Sequence, residues 1–271
     1  MRADMRIENM FDCRVINLAR SPQRLKTFLE RNAAAGLRIE RFEAVDGSTL
    51  DIASAVSNGI IANGAKYTPG AIGNGMSHRA IWRESIARRK CALVFEDDGV
   101  LRRDISDVLP QVVSHLPEDW DILLLGYNTD SVLDLKFGGE INLYGRFNPQ
   151  YPTPAGQAAF AVSDEPVGAY KLNAAFGICG YAISPGGAER LISRCFPMDN
   201  RVIQVPALGK GLILTTLDGM LNAFFRRVSA FACFAPLVLP INDRSSSSVV
   251  KACGTKSERS ASIRSSEVGV D

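Results

Sequence analysis

The stretch that most limits what this chain can fold into is Cys91-Ala92-Leu93-Val94-Phe95, followed without a break by Glu96-Asp97-Asp98. The first five residues read as a buried strand, short, apolar and bounded by charge. Three carboxylates then leave the core together. Like charges gathered at the end of a core strand are costly unless a cation sits there. Open α/β sheets also hold their ligands beyond the carboxyl ends of their strands. The stretch therefore reads as a divalent-metal site for a phosphorylated substrate, with a solvated acidic turn as the plain alternative.

The flanking pattern supplies the rest of an α/β fold. Cys13-Arg14-Val15-Ile16-Asn17-Leu18 reads as a first strand, and Ser21-Pro22 is a good N-cap and first-turn pair. A helix is predicted from there to Ala35, stopped by Gly36. A second strand follows from Ile39 to Val45 and ends in the turn Asp46-Gly47. This order predicts a βαβ unit with parallel strands. Thr68 to Gly75 is rich in glycine and reads as a loop, with a helix capped near Ser77 feeding the strand at Cys91. Glycines ahead of a helix can let backbone approach a phosphate, although no Gly-Lys-Ser/Thr follows. A helix is expected from near Ser106, a strand over 120–126, then long loops with short strands at 141–144 and 158–162. Ala174 to Ile183 reads as a strand, Ser184-Pro185-Gly186 as a helix start, and Leu217 to Phe225 as a short helix.

The composition excludes several classes of function. The 271 residues are 46% hydrophobic and 22% charged, with a net charge of +2 and a pI near 8.2. That is an ordinary globular chain, and no nucleic-acid-binding module is visible. The six cysteines are scattered, without zinc spacing, and read as reduced core thiols. The amino-terminal residues alternate in charge and do not form a signal peptide. No uncharged apolar run reaches the roughly 18 residues of a membrane span. A cytoplasmic protein is expected, touching at most the membrane face through Arg226-Arg227 and the later Lys251 and Lys256. Beyond Asn242 the sequence turns polar, so 247–271 is predicted to be a flexible tail.

Four separated segments, in order, resemble glycosyltransferase family 25, the lipooligosaccharide-biosynthesis galactosyltransferases, which also includes collagen galactosyltransferase domains. They are Val15-Ile16-Asn17-Leu18 with Arg20 and Arg24, then Arg41-Phe42-Glu43-Ala44-Val45-Asp46-Gly47. Gly70-Ala71-Ile72-Gly73-Asn74-Gly75-Met76-Ser77-His78 follows ahead of Trp82, and Val94-Phe95-Glu96-Asp97-Asp98 completes the set. A weaker match is Gly180-Tyr181-Ala182-Ile183-Ser184, with Asp218 downstream. Where the family's glycine segment carries an acidic residue and a cysteine, this chain has Ala71 and Asn74.

The resemblance implies a GT-A-like α/β/α sandwich around a mixed, mainly parallel sheet, formed by residues 12–246. The nucleotide-sugar half would cover about 12–130 and the acceptor half about 131–246. It implies inverting transfer of a hexose, galactose foremost, from a UDP-sugar to a saccharide acceptor that can be lipid-linked. Mn²⁺ or Mg²⁺ would be the cofactor, because a hard cation on oxygen ligands neutralises charge on the leaving diphosphate. Asp98 and Glu96, two apart and so on one side of a strand, are the expected metal ligands. Asp97 is assigned to sugar or ribose hydroxyls. Asn17, Arg20, Arg24, Asp46, Ser77 and His78 are assigned to the nucleotide and diphosphate. For Arg24 an exposed helix charge, and for Asp46 a plain turn, are the alternatives. Asp218 is the first candidate for the base that takes the acceptor proton, ahead of Asp199 and Glu189; complementing a helix start would explain it equally. Trp82 and His115 read as structural. Ala71 and Asn74 keep a non-catalytic sugar-nucleotide or glycan-binding relative in view, and the acidic triplet alone would also suit a metal-dependent nucleotidyltransferase.

Overall fold

The computed structural model describes residues 6–147 and 151–241. From the amino end the elements are α1 (Ile7–Met10), β1 (Phe11–Asn17), α2 (Pro22–Arg31), β2 (Glu40–Glu43), α3 (Ile52–Ser57), α4 (Pro69–Arg88), β3 (Cys91–Glu96), β4 (Gly99–Leu101), α5 (Ile105–Ser114) and β5 (Ile122–Gly126). The hairpin β6 (Val132–Gly138) and β7 (Ile141–Arg146) follows, then α6 (Pro154–Ala161), β8 (Gly168–Ala175), β9 (Gly180–Ile183) and α7 (Pro185–Cys195). The hairpin β10 (Val202–Val205) and β11 (Lys210–Ile213), α8 (Leu217–Asn222), β12 (Ala230–Phe234) and β13 (Val238–Pro240) complete the described chain.

Nine strands form one mixed sheet in the order β2-β1-β3-β9-β5-β12-β8-β6-β7. β1 runs parallel to β2 and β3, as the βαβ reading expects, and β5 runs parallel to β12. β9, β8 and β7 run back against their neighbours and make the remaining ladders antiparallel. The carboxyl ends of β1, β2, β3 and β5 consequently share one edge of the sheet.

Side-chain alternation divides the core into two layers. Ala92 and Val94 of β3, Ile122 and Leu124 of β5, and Tyr181 and Ile183 of β9 pack with α4, α7 and α8. Leu93 and Phe95, Leu123 and Leu125, and Ala182 pack on the other face with α2 and α5. Strands that are apolar on both faces need helices on both sides, and this gives the α/β/α sandwich. No described helix is long and apolar enough to cross a membrane.

Three sequence expectations change. The glycine-rich segment is not a loop but the first two turns of α4, and Thr68, not Ser77, caps it. Thr68 Oγ1 accepts from Ala71 N at 3.1 Å, and Pro69 takes the first helical position. The glycines are there because the helix crosses the backbone of 45–47. A Cβ on Gly73 would lie 2.5 Å from Val45 O and 2.8 Å from Gly47 N. Gly73 and Gly75 lie inside the helix, where their N–H groups face the preceding turn rather than an open loop. Second, 158–162 is not a strand but falls largely in α6, capped by Thr153 Oγ1 with Pro154 at its start. Third, the apolar run 174–183 is two strands, because Gly177 at φ +81° turns the chain between β8 and β9. The helix α2 ends at Arg31, and the stop at Gly36 follows one short 3-10 turn later, with φ +68°. Residues 242–246 and the tail 247–271, with Lys251 and Lys256, lie outside the described residues.

The last strands close the sheet. β12 joins β5 to β8, and β13 pairs with β4. Ile241 N then donates to the main-chain oxygen of Asp98 at 3.1 Å.

Helix propensity favours Ala over Gly, yet Gly73→Ala is expected to destabilise by about 1–3 kcal/mol through the clash with 45–47. Gly186→Ala in α7, where a Cβ meets only the guanidinium end of Arg190 at 3.3 Å, should be neutral or stabilising by up to about 1 kcal/mol. Urea midpoints of the two variants check the contrast.

Candidate functional site

β3 delivers Glu96 to the sheet edge, and the turn to β4 holds Asp97 and Asp98. Each carboxylate meets a different environment. Asp97 is held from β1 and α2: Asn17 Nδ2 donates to Oδ2 at 2.7 Å, and Arg24 Nε donates to Oδ1 at 2.9 Å. A second Arg24 nitrogen closes an ion pair on the same oxygen. Both oxygens are committed, so Asp97 fixes the turn to β1 and α2. Glu96 Oε1 accepts from Asn74 Nδ2 of α4 at 3.2 Å and lies 3.8 Å from His78 Nε2. Burial raises the Glu96 carboxyl, but His78, Asn74 and Arg24 outweigh it and the net direction is down, so Glu96 stays ionised.

Asp98 differs from both. Among the described residues its buried Oδ1 has no hydrogen-bond partner. Burial first, and then the charge of Glu96, push its carboxyl from 3.8 up to about 7. A buried carboxylate with an unpartnered oxygen beside an ionised glutamate is a donor set that fits a hard divalent cation. Among the described residues no group of three or more His, Cys, Asp and Glu side chains is gathered to hold a metal. A cation on Asp98 and Glu96 would thus complete its shell with phosphate oxygens and water, as Mg²⁺- and Mn²⁺-nucleotide sites do.

The other assigned residues are held by contacts of their own. Asn17 is buried at the end of β1, where its Nδ2 also donates to Ser21 O at 3.0 Å. Arg41 Nε, which the sequence pattern did not single out, donates to Asn17 Oδ1 at 3.3 Å. Arg20 forms an ion pair with Asp46, joining the exits of β1 and β2. Asp46 Oδ1 also accepts from Ser48 N and Ser48 Oγ, so it caps the short turn at Gly47. Ser77 is fully buried; its Oγ accepts from Val45 N at 2.9 Å and donates to Gly73 O at 2.7 Å. It ties α4 to the loop after β2. Asp218 lies in the first turn of α8 and accepts from Gly177 N at 2.8 Å. That β8–β9 loop also offers Cys179 O to Glu96 N at 3.0 Å, so a backbone path links Asp218 to the acidic turn. Asp199 is committed to Arg201 on the surface, Glu189 is exposed on α7, and His115 caps the exposed end of α5 against Gln111 O.

Two contributors lacked a clear sequence signal. Asn74 was legible only as a departure from the family pattern, but it donates to Glu96. Tyr181 was legible only as part of an apolar strand and of the weaker family segment at 180–184.

Glycosyltransferase family 25 (LPS biosynthesis protein) is the family whose model matches, over residues 10–202, well over half of the chain. The inactive glycosyltransferase 25 family member 3 of Mus musculus is 33% identical over 129 residues, 41% of this chain and 21% of that protein. The probable inactive family member 3 of Rattus norvegicus is 33% identical over 129 residues, 22% of its length, and the inactive human protein is 32% identical over 129 residues. The match thus spans about a fifth of these relatives.

The raised Asp98 carboxyl gives the pH behaviour a definite sign. A carboxyl that holds its proton more tightly in the fold than in the unfolded chain contributes stability that is lost as pH rises from about 4 through about 7. Asp98→Asn, which mimics the protonated form, should therefore raise the Tm of cation-free protein at pH 8 and change it little at pH 4, with roughly 2–4 °C for each kcal/mol recovered. Mn²⁺ should raise the Tm of the parent at pH 8 and leave the variant unmoved. Melting curves at both pH values check this.

Proposed function

This chain belongs to glycosyltransferase family 25, and from that premise we propose that it is a metal-dependent, inverting hexosyltransferase using a UDP-sugar, with UDP-galactose the first donor to test. The family description, LPS biosynthesis protein, favours a surface saccharide, lipid-linked when transfer occurs, as the acceptor. Transfer on the cytoplasmic membrane face follows from that acceptor. The observation that carries the reading is the pair Glu96 and Asp98, one ionised and one with an unpartnered buried oxygen, at the carboxyl edge of the sheet.

In this reading Asp98 and Glu96 hold the cation. When bound, it supplies neutralisation of the charge that develops on the leaving diphosphate. Arg24 keeps Asp97 in place through Nε and a second guanidinium nitrogen and adds positive charge beside the turn that would receive the diphosphate. Arg20 and Asp46, half exposed and paired with each other, border the nucleoside, and Asn17 fixes the β1 exit beneath it. Ser77 and His78 support this wall from α4. The acceptor hydroxyl attacks the anomeric carbon, the bond from that carbon to the β-phosphate oxygen breaks, and UDP departs. The hydroxyl proton passes to a carboxylate, for which Asp218 is the candidate. Asp97, with both oxygens already accepting, suits orientation of the sugar more than proton transfer.

A second reading has its own support. The relatives of Mus musculus and Homo sapiens are named inactive, and Ala71, buried in the first turn of α4, replaces the acidic residue of the family segment. A chain that binds UDP-sugar without turning it over would fit both facts.

UDP release from UDP-galactose with Mn²⁺ tests the proposal. Asp98→Ala should lower kcat/KM on the order of 100-fold or more, since loss of the cation removes several kcal/mol of transition-state stabilisation. Full metal-dependent activity in that variant would exclude this site. UDP binding by calorimetry with no turnover across a panel of UDP-sugars would favour the second reading, and release of pyrophosphate would point to nucleotidyl transfer.

A further inference from the structure

Behind the acidic turn, three fully buried ring side chains form a single line: Trp82 and His78 on α4, four residues apart on one helix face, and Tyr181 on β9. Trp82 Nε1 donates to Tyr181 Oη at 2.8 Å, and the same oxygen lies 2.8 Å from His78 Nδ1. The His78 and Tyr181 rings are 5.6 Å apart. At the far end, His78 Nε2 is buried, with no hydrogen-bond partner among the described residues, 3.8 Å from Glu96 Oε1.

The direction of each bond follows from the tryptophan end. An indole nitrogen only donates, so Trp82 occupies a lone pair of the Tyr181 oxygen. Burial holds Tyr181 far above the usual phenol range, so it keeps its proton. A buried hydroxyl proton needs an acceptor, and His78 Nδ1 is at bonding distance. Once Nδ1 accepts, the ring proton is on Nε2, facing Glu96. The opposite tautomer would leave the Tyr181 proton without a partner and set the Nε2 lone pair against a carboxylate.

We propose that Trp82 and Tyr181 are positioning residues that hold His78 as its Nε2–H tautomer and so aim one neutral donor at the Glu96 carboxylate. The 3.8 Å separation is about 0.8 Å longer than a hydrogen bond, so a shift of under about 1 Å in the Glu96 side chain would close it. His78 then orients Glu96, and Asn74, bonded to the same Oε1, makes the second restraint. The consequence for metal binding rests on the reading of Glu96 and Asp98 given above; the tautomer does not.

The chain has only two histidines, His78 and His115. Full-length protein labelled with ¹⁵N-histidine therefore gives a readable two-bond ¹H–¹⁵N spectrum, and His115→Gln assigns it. The expected result at pH 7.5 is a His78 ring protonated at Nε2 and bare at Nδ1. Tyr181→Phe should move that pattern toward a tautomer mixture and weaken Mn²⁺ binding roughly 10-fold by calorimetry, as loss of a ligand-orienting partner does. His78→Gln, whose amide can donate from the Nε2 position without Tyr181, should keep most of the Mn²⁺ affinity, and adding Tyr181→Phe to it should cost little more. A proton on Nδ1 in the parent protein overturns the proposal without need of any variant. So does a Tyr181→Phe spectrum in which His78 is unmoved. An Nε2–H ring in a protein that binds neither Mn²⁺ nor UDP would keep the relay and remove the glycosyltransferase reading instead.

Discussion

The organising constraint in this molecule is that a strand buried on both faces ends in three consecutive carboxylates. The core around β3 needs Leu93, Val94 and Phe95 where they are, so the charges cannot retreat. The surrounding elements answer them one at a time. α2 and β1 neutralise Asp97 through Arg24 and Asn17, and α4 supplies Asn74 and His78 to Glu96. Among the described residues no group answers Asp98 Oδ1, which is left buried and unpartnered. The placement of β1, α2 and α4 around one strand end can thus be understood as charge management, with Asp98 the carboxylate left least answered.

Much of this was legible because charge and apolar periodicity are local signals. The βαβ start, the stop at Gly36, the strand into Glu96 and the helix after Ser184-Pro185 each follow from neighbouring residues. The misreadings have a common physical origin. Glycine speaks locally for a loop, but Gly73 is glycine because the backbone of 45–47 passes within a Cβ's reach. That requirement belongs to a contact between segments far apart in sequence, and tertiary packing overrides propensity there. Ala174 to Ile183 misled for the opposite reason: one apolar run serves two strands that are not neighbours in the sheet, and only the turn at Gly177 divides it.

The site shows the same division. The cluster of carboxylates at the strand end could be picked from sequence, since charge shows in residue type. The supporting bonds could not. Ser77 and Asp46 prove to be occupied in holding the loop after β2 against α4 and β1, and Tyr181 enters through a cross-sheet contact with α4. Residues that bind a ligand and residues that brace the binders carry the same side-chain types, and only geometry separates them.

The strand β12 has a consequence for how the molecule comes into being. It is the last strand made of the nine, yet it lies in the interior of the sheet, between β5 and β8. Until it inserts, β8, β6 and β7 have no edge by which to join the rest. The chain just beyond it then reaches β4 and the main-chain oxygen of Asp98. On a ribosome, therefore, the amino-terminal strands can collapse early, but the acidic turn acquires its final support only as the carboxyl-terminal strands emerge. The family match ends at residue 202, so the smallest segment able to fold extends beyond the part most recognisable by kinship. A nascent chain arrested before β12 would carry all the carboxylates and none of the finished site.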